Sequence, residues 1–160
     1  MSPLRDELRH RLEASHAGVL AEVTAWDETT AALPVTPEWT ARAVLAHLAA
    51  AELGHLRVIC RLLAGEPTEQ PGFDLDAHNQ AEVATRQDRT LAALIAEYRA
   101  NRMATLALLD TVSATAWDKG GFHPAGFAIT VAGIFRLIVI HEKRHLRELQ
   151  AALATQKRQG

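Results

Sequence analysis

The chain of 160 residues is 48% apolar and 22% charged, with 17 basic residues against 19 acidic ones and a formal net charge of −2. That length and apolar content suit one folded domain over 1–160 and exclude a largely disordered chain, and the charge lacks the basic excess that replaces counterions on nucleic-acid phosphates. The single cysteine, Cys60, excludes an internal disulfide and a cysteine-rich zinc site.

Proline and glycine cluster in three places: Pro34 and Pro37; Gly65, Pro67, Pro71 and Gly72; Gly120, Gly121, Pro124 and Gly126. These breaks leave four long segments with a helical period. The first runs from about Leu4 to Leu33, with Leu4, Leu8, Leu12, Val19, Val23 and Trp26 on one face. The second runs from about Pro37 to Ala64, opened by Thr36 before Pro37 or, a turn later, by Thr40. The third spans Asp76 to Val112, with Leu91, Leu94, Ile95, Tyr98, Leu106 and Leu109 as its stripe. The fourth spans Thr130 to Gln156, with Ile134, Ile138, His141, His145, Leu149 and Ala152 in line. Clustered valine and isoleucine at 129–140 make a buried strand the competing reading, but the period continues into charged sequence, as a helix does. The pattern predicts an all-α four-helix bundle. The polar connection near 65–75 is long enough to carry the chain along the bundle, so sequence neighbours need not be antiparallel.

The longest apolar run, 129–140, contains Arg136 and falls short of the ~20 residues a bilayer requires. The first ten residues lack the apolar stretch of a signal peptide. A cytoplasmic protein without a membrane span is the expectation.

Eight histidines stand out. His141 and His145 are four residues apart, so on a helix their imidazoles point the same way. Both lie on the apolar stripe, where ring nitrogens must find partners. His47 sits on the inward face of the second segment with Val44, Leu48 and Ala51. All three are near mid-helix and can meet at one level. One histidine from one helix and His-x3-His from another make a three-histidine divalent-metal site, suited to zinc, nickel or iron. The alternative is two hydrogen-bonded core histidines and one at the surface. His55 is too far along the axis to share a metal with His47. His123 is expected in a loop, packed in a turn or lining a mouth, and His10, His16 and His78 in solvent. Cys60 is expected as a small buried side chain, and Trp39 and Trp117 as plugs at the bundle ends.

Residues 141–145 also match the zinc-protease pattern H-E-x-x-H. The extended pattern fails, because Glu148 and Ala151 stand where a glycine and a histidine belong. Glu142 lies about 100° around the helix from His141 and need not face a metal.

Three stretches carry a resemblance. They are Glu38 to Leu48; Asp76 to Arg99, with Asn79 inside; and Trp117, Gly121, His123-Pro124 and Gly126 leading through Thr130–Ile134 to His141–His145. Their order and spacing resemble the DinB/YfiT-like metalloprotein superfamily over nearly the whole chain. The resemblance implies an up-down-down-up four-helix bundle, often dimeric. It implies metal binding by His47, His141 and His145, and in several members thiol S-transfer or isomerisation in which a divalent metal activates a low-molecular-weight thiol.

Two functions follow. The first is an enzyme in which the three histidines hold a divalent metal with open positions and a thiol S-transfer or a hydrolysis proceeds on a small-molecule substrate. Its opening is expected toward the third loop, near His123 and Phe127. Glu52 and Glu142 are ion-paired or solvated, or else hold an imidazole tautomer. The second is a non-catalytic, metal-stabilised stress-response or dimerisation module. A homodimer and no nucleic-acid partner are expected for either.

Overall fold

The computed structural model describes residues 2–160. Helix α1 spans Pro3–Val23, a single turn α2 Glu28–Ala31, α3 Ala41–Ala64, α4 Leu75–Ala84, α5 Leu91–Thr111 and α6 Val131–Gln159. Two three-residue strands, β1 (Gly120–Phe122) and β2 (Ala128–Thr130), pair antiparallel between α5 and α6.

The helix starts are set by side-chain caps. Thr40, not Thr36, opens α3 by accepting from the Ala43 amide; Thr90 does the same for α5 through Ala93, and Thr130 for α6 through Gly133. Gly65 ends α3 at φ +72°, a left-handed conformation that costs glycine nothing. The first predicted segment stops early, at Val23, and Trp26 folds back into the core. The third is two helices rather than one. No glycine or proline marks the break. It is made by Thr90 capping the new helix and by Arg86, which is buried and donates to Glu97 at 2.8 and 3.0 Å and to Glu82 at 2.8 Å. The fourth segment is helical from Val131, so of the strand reading of 129–140 only 129–130 is strand, at the end of β2.

The four long helices close a ring in the order α1, α6, α3, α5. Sequence neighbours α1 and α3 therefore sit diagonally, as do α5 and α6. Contacts fix the directions. Arg42 reaches the Arg89 carbonyl, and Asn101 donates to the Ala49 carbonyl, so α3 and α5 run parallel. Ser15 meets Glu142 and Gly18 meets Leu146, so α1 and α6 run parallel. Arg9 pairs with Asp110 near the start of α1, and Arg102 reaches the Leu12 carbonyl further along, so α1 and α5 are antiparallel. This is an up-down-down-up bundle. The connection from 65 to 90 returns the chain along the bundle, and α4 lies against α3 on the way.

Two apolar clusters fill the interior. One gathers Leu8, Ile59, Leu62, Leu109, Trp117, Ile134 and Phe135; the other gathers Val19, Val23, Val44, Leu45, Leu94, Tyr98 and Leu149. Among the described residues only α3 is long and apolar enough to cross a membrane, and most of that stretch is buried within the bundle. His47, Glu52 and His55 interrupt its apolar run.

Between the clusters lies a buried polar layer. Arg102, 1% exposed, donates from Nε to Glu52 Oε1 at 2.7 Å and from Nη2 to Glu52 Oε2 at 2.9 Å. Its Nη2 also lies 2.7 Å from Glu142 Oε1. Thr105 donates to Glu52 at 2.6 Å, Ser15 to Glu142 at 2.6 Å, and the Tyr98 hydroxyl also donates to Glu142. Glu52 and Glu142 are thus ion-paired in the core, and neither hydrogen-bonds to an imidazole of the three-histidine set. Burial and the neighbouring Glu52 charge hold the Glu142 carboxyl above its ordinary range against the pull of Arg102.

Removing the cation would leave two buried carboxylates facing each other. Arg102→Ala is expected to lose roughly 3–5 kcal/mol of stability, read as a fall in the urea midpoint. A loss below about 1 kcal/mol would show that the network carries no such strain.

Candidate metal centre

Helix α3 carries His47, and the antiparallel α6 carries His141 and His145. The structure brings the three rings together. Nε2 of His141 lies 3.0 Å from Nε2 of His47 and 3.2 Å from Nε2 of His145, and one nitrogen of each ring falls within 4.8 Å of the others. His47 is 5% exposed and His145 6%.

These spacings fit a shared cation better than a hydrogen-bonded trio. Metal–nitrogen bonds of about 2.0–2.1 Å place ligand nitrogens about 3.3 Å apart on a tetrahedral ion and about 3.0 Å apart at adjacent octahedral positions. Without an ion, the His141 nitrogen has one proton at most to share between two neighbours. Burial, followed by the proximity of the other rings, lowers the pKa of His47 to about 3 and depresses that of His141. The rings are therefore neutral and present lone pairs.

His145 Nδ1 is 2.9 Å from Glu148 Oε2. With the Nδ1 proton donated to that carboxylate, the lone pair of Nε2 points at the cluster. The side chain that orients an imidazole is thus Glu148, three residues along the helix, rather than Glu52 or Glu142. Its position relative to His145 was the available signal. Trp39 covers the other side. Its ring lies 4.8 Å from that of His47, and its Nε1 donates to Gln80 of α4 at 3.0 Å. Trp39 is a wall of the site and no plug at a bundle end; Trp117 is a core residue against Phe135.

The cluster opens on a cleft of about 1100 Å³ between α3, α4, α6 and the β1–β2 loop. His123, Pro124 and Phe127 line one end, as the sequence led us to expect, with His123 stacked on Phe127 at 4.7 Å. The hairpin is held there by Thr68, whose hydroxyl accepts from the Phe122 amide at 2.7 Å. A Cβ on Gly121 would come within 2.4 Å of that Thr68 oxygen, so the close approach needs glycine. The opposite wall, from α4 and the segment before it, was not anticipated: Phe73 ahead of the helix and Asp76, His78 and Asn79 within it line the cleft.

Other sequence readings need correction. Cys60 is exposed and lines the cleft; it is not a buried packing residue. His16 is half-buried, its ring 4.5 Å from Tyr98, with Nδ1 buried and lacking a partner. His78 is half-buried beside Phe73. His10 is exposed, as expected. His55 is not in the cluster, although its ring centre is 5.8 Å from that of His141.

The sequence model of the DinB superfamily matches residues 27–149. The chain belongs to the DinB superfamily. Among solved structures it is similar to YfiT from Bacillus subtilis, described as a probable metal-dependent hydrolase with an unusual four-helix bundle topology. The two share 22% identity at a TM-score of 0.80, covering 98% of this chain and 90% of that one. It is also similar to the mycothiol-dependent maleylpyruvate isomerase, at 17% identity and a TM-score of 0.74; the match covers 93% of this chain but only 63% of the isomerase. The colibactin self-resistance protein ClbS, solved in complex with double-stranded DNA, matches at 13% identity and a TM-score of 0.75, covering 92% and 94%. No curated protein matches the sequence. At these identities the likenesses establish the fold. The DinB bundle, the up-down-down-up order and the three-histidine cluster stand together in this chain.

The buried imidazoles make stability depend on pH. Burial lowers His16 and His55 to about 4 and His47 to about 3, whereas unfolded histidine titrates near 6.5. Unfolding takes up protons below that value, so the contribution is complete above about pH 6.5 and is lost as pH falls toward 4. The metal-free protein is expected to show a lower urea midpoint at pH 5 than at pH 7. A midpoint constant over that interval would contradict neutral buried rings.

Proposed function

We propose that the chain is a divalent-metal-dependent enzyme acting on small molecules, with His47, His141 and His145 as ligands and a low-molecular-weight thiol as the activated group. The observation that carries this reading is the placement of three neutral ring nitrogens on the wall of a large cleft. A purely structural metal would call for a fourth protein ligand and no cavity. Among the described residues the cluster has three members, which leaves coordination positions for a substrate.

A zinc, nickel or iron ion held there would supply the positive charge that lowers the pKa of a coordinated thiol or water. The protein's own groups would do the rest. Glu148 holds the His145 tautomer, Trp39 shields His47 from bulk water, and Phe127 and Phe73 give the cleft apolar surface for the substrate body. Arg144, whose Nη2 lies 3.4 Å from His145 Nε2, is placed to meet a negative group beside the ligands. The superfamily and the likeness to a mycothiol-dependent isomerase support thiol chemistry; the likeness to YfiT supports hydrolysis as the variant. Assembly as a cytoplasmic homodimer belongs to the same proposal, and sedimentation of the purified protein tests the dimer.

Protein purified without a histidine tag is expected to carry one divalent ion per chain. His47→Ala, His141→Ala and His145→Ala should each weaken metal affinity by at least about tenfold, while His55→Ala should not. Chelation should lower the melting temperature, since saturation at about a hundred times Kd stabilises by about 2.7 kcal/mol. Full metal content in His141→Ala would overturn the ligand assignment. With cobalt bound, millimolar 2-mercaptoethanol should give a sulfur-to-metal charge-transfer band. Its absence would overturn the thiol reading.

A further inference from the structure

The hairpin at the end of the cleft holds one side chain more firmly than a surface turn requires. The His123 amide donates to the Phe127 carbonyl at 2.9 Å, and its carbonyl accepts from the Gly126 amide at 2.8 Å. Gly126 turns the chain there at φ +89°. The imidazole stacks on the Phe127 ring, 4.7 Å away and 11° from parallel. Its Nδ1 accepts from the Ala125 amide at 3.0 Å.

That last bond decides where the ring proton sits. A nitrogen that accepts from an N–H presents its lone pair, so the neutral ring carries its proton on Nε2. Burial lowers the His123 pKa and favours the neutral ring. Nε2 makes no hydrogen bond among the described residues, yet it is not one of the atoms sealed from solvent. Closing the turn does not call for histidine, because an asparagine accepts equally well from the amide two residues on. What histidine adds is a second polar edge. With Nδ1 engaged by its own loop and one ring face covered by Phe127, that edge is a free N–H on the lining of the cleft.

The surroundings narrow the acceptor it would meet. From 120 to 129 the hairpin carries no charged side chain, and Pro124 and Phe127 line the cleft beside the ring. A neutral donor in apolar surroundings suits a neutral carbonyl oxygen, whereas a carboxylate is best met by a charged donor. The His55 ring borders His123 at 5.7 Å and the candidate ligand His141 at 5.8 Å. A molecule lying along His55 would thus meet the cluster at one end and the His123 N–H with its body.

Resting on the metal-dependent thiol reading of the site, we propose that His123 is a specificity-determining residue, whose Nε2–H donates to an amide or ester carbonyl on the body of the thiol that faces the three-histidine cluster. The cleft is thereby selective for carbonyl-bearing thiols over simple ones, and His123 binds the substrate without entering the metal shell.

The test uses the full-length cobalt-substituted protein and the charge-transfer band as the readout. N-acetylcysteamine, with one amide carbonyl, and pantetheine, with a second one further from the sulfur, are titrated against 2-mercaptoethanol, which has none. The wild-type protein is expected to bind at least one of the amides about fivefold or more tightly than 2-mercaptoethanol. His123→Phe keeps the ring stack and loses the donor; His123→Asn keeps an acceptor for the Ala125 amide and loses the far N–H. In both, the preference should fall by about threefold to tenfold, the scale of one hydrogen bond, with 2-mercaptoethanol affinity and cobalt content unchanged. A purely apolar effect would instead raise the preference in His123→Phe. A long-range proton–nitrogen correlation spectrum of the metal-free protein should show His123 as the Nε2–H tautomer. An Nδ1–H tautomer, no preference in the wild-type protein, or a preference unchanged in both variants overturns this role of His123 and leaves the ligand assignment intact. No band with any thiol, with cobalt bound, overturns the thiol reading and this inference with it.

Discussion

The fold depends on one buried guanidinium. Arg102 projects from α5 into the centre of the bundle, where Glu52 of α3 and Glu142 of α6 share it and the Leu12 carbonyl of α1 accepts from it. All four long helices therefore meet at a single side chain. That matters because the diagonal pairs have little other contact: α1 with α3, and α5 with α6. A buried charge is a poor source of stability, since apolar side chains of similar volume often serve as well or better. What the triad adds is directional. A methyl cluster tolerates a helix sliding by part of a turn; three hydrogen-bonded charges do not. Glu52 follows His47 by five residues on α3, and Glu142 adjoins His141 on α6. The triad that locks the two helices in register also locks the register of the imidazoles they carry.

The same topology makes room for the cleft. A bundle whose neighbours are all antiparallel is joined by short turns, and its surface closes over. Here α3 and α5 run parallel, so the chain must travel the length of the bundle between them. The connection carries α4 across the outer face of α3, propped by Trp39 on Gln80 and by Arg86 on Glu97. None of the α4 residues is buried, and only Val83 packs against the second apolar cluster, so α4 leans on the bundle as an outrigger rather than a fifth core helix. The gap beneath it, closed at one end by the β1–β2 loop, is the cleft. The parallel pair is thus the origin of the cavity that faces the histidines.

The parts of this arrangement written in periodicity were legible in the sequence. Long helices repeat every 3.6 residues, and His47, His141 and His145 fell on core-facing stripes where ring nitrogens must find partners, a shared cation being one of the two readings. Features set by single contacts were not. Strands of three residues carry no alternation to detect, so the hairpin went unseen although its glycines were noted. The break between α4 and α5 contains neither glycine nor proline. It is made by a buried arginine and a threonine cap, whose signals are weak until the partners' positions are known. Cys60 was expected as a small buried side chain, yet it stands about 100° around the helix from the buried Ile59, enough to move it from the core to the cleft.

The pentad from His141 to His145 shows how far a motif depends on its surroundings. In a zinc protease the glutamate beside the first histidine serves as base at the metal. Here the same rotation of about 100° between successive residues turns Glu142 away from the cluster and into the triad with Arg102, beneath the Tyr98 and Ser15 hydroxyls. The imidazoles face a cleft; the carboxylate faces the core. One turn of α6 therefore serves two environments, and what divides them is the partner each face meets. Across from the histidines, α3 offers His47. Across from the glutamate, α5 offers a cation. The motif supplies the residue types, but the helices packed around it decide which of them can do chemistry and which must hold the bundle together.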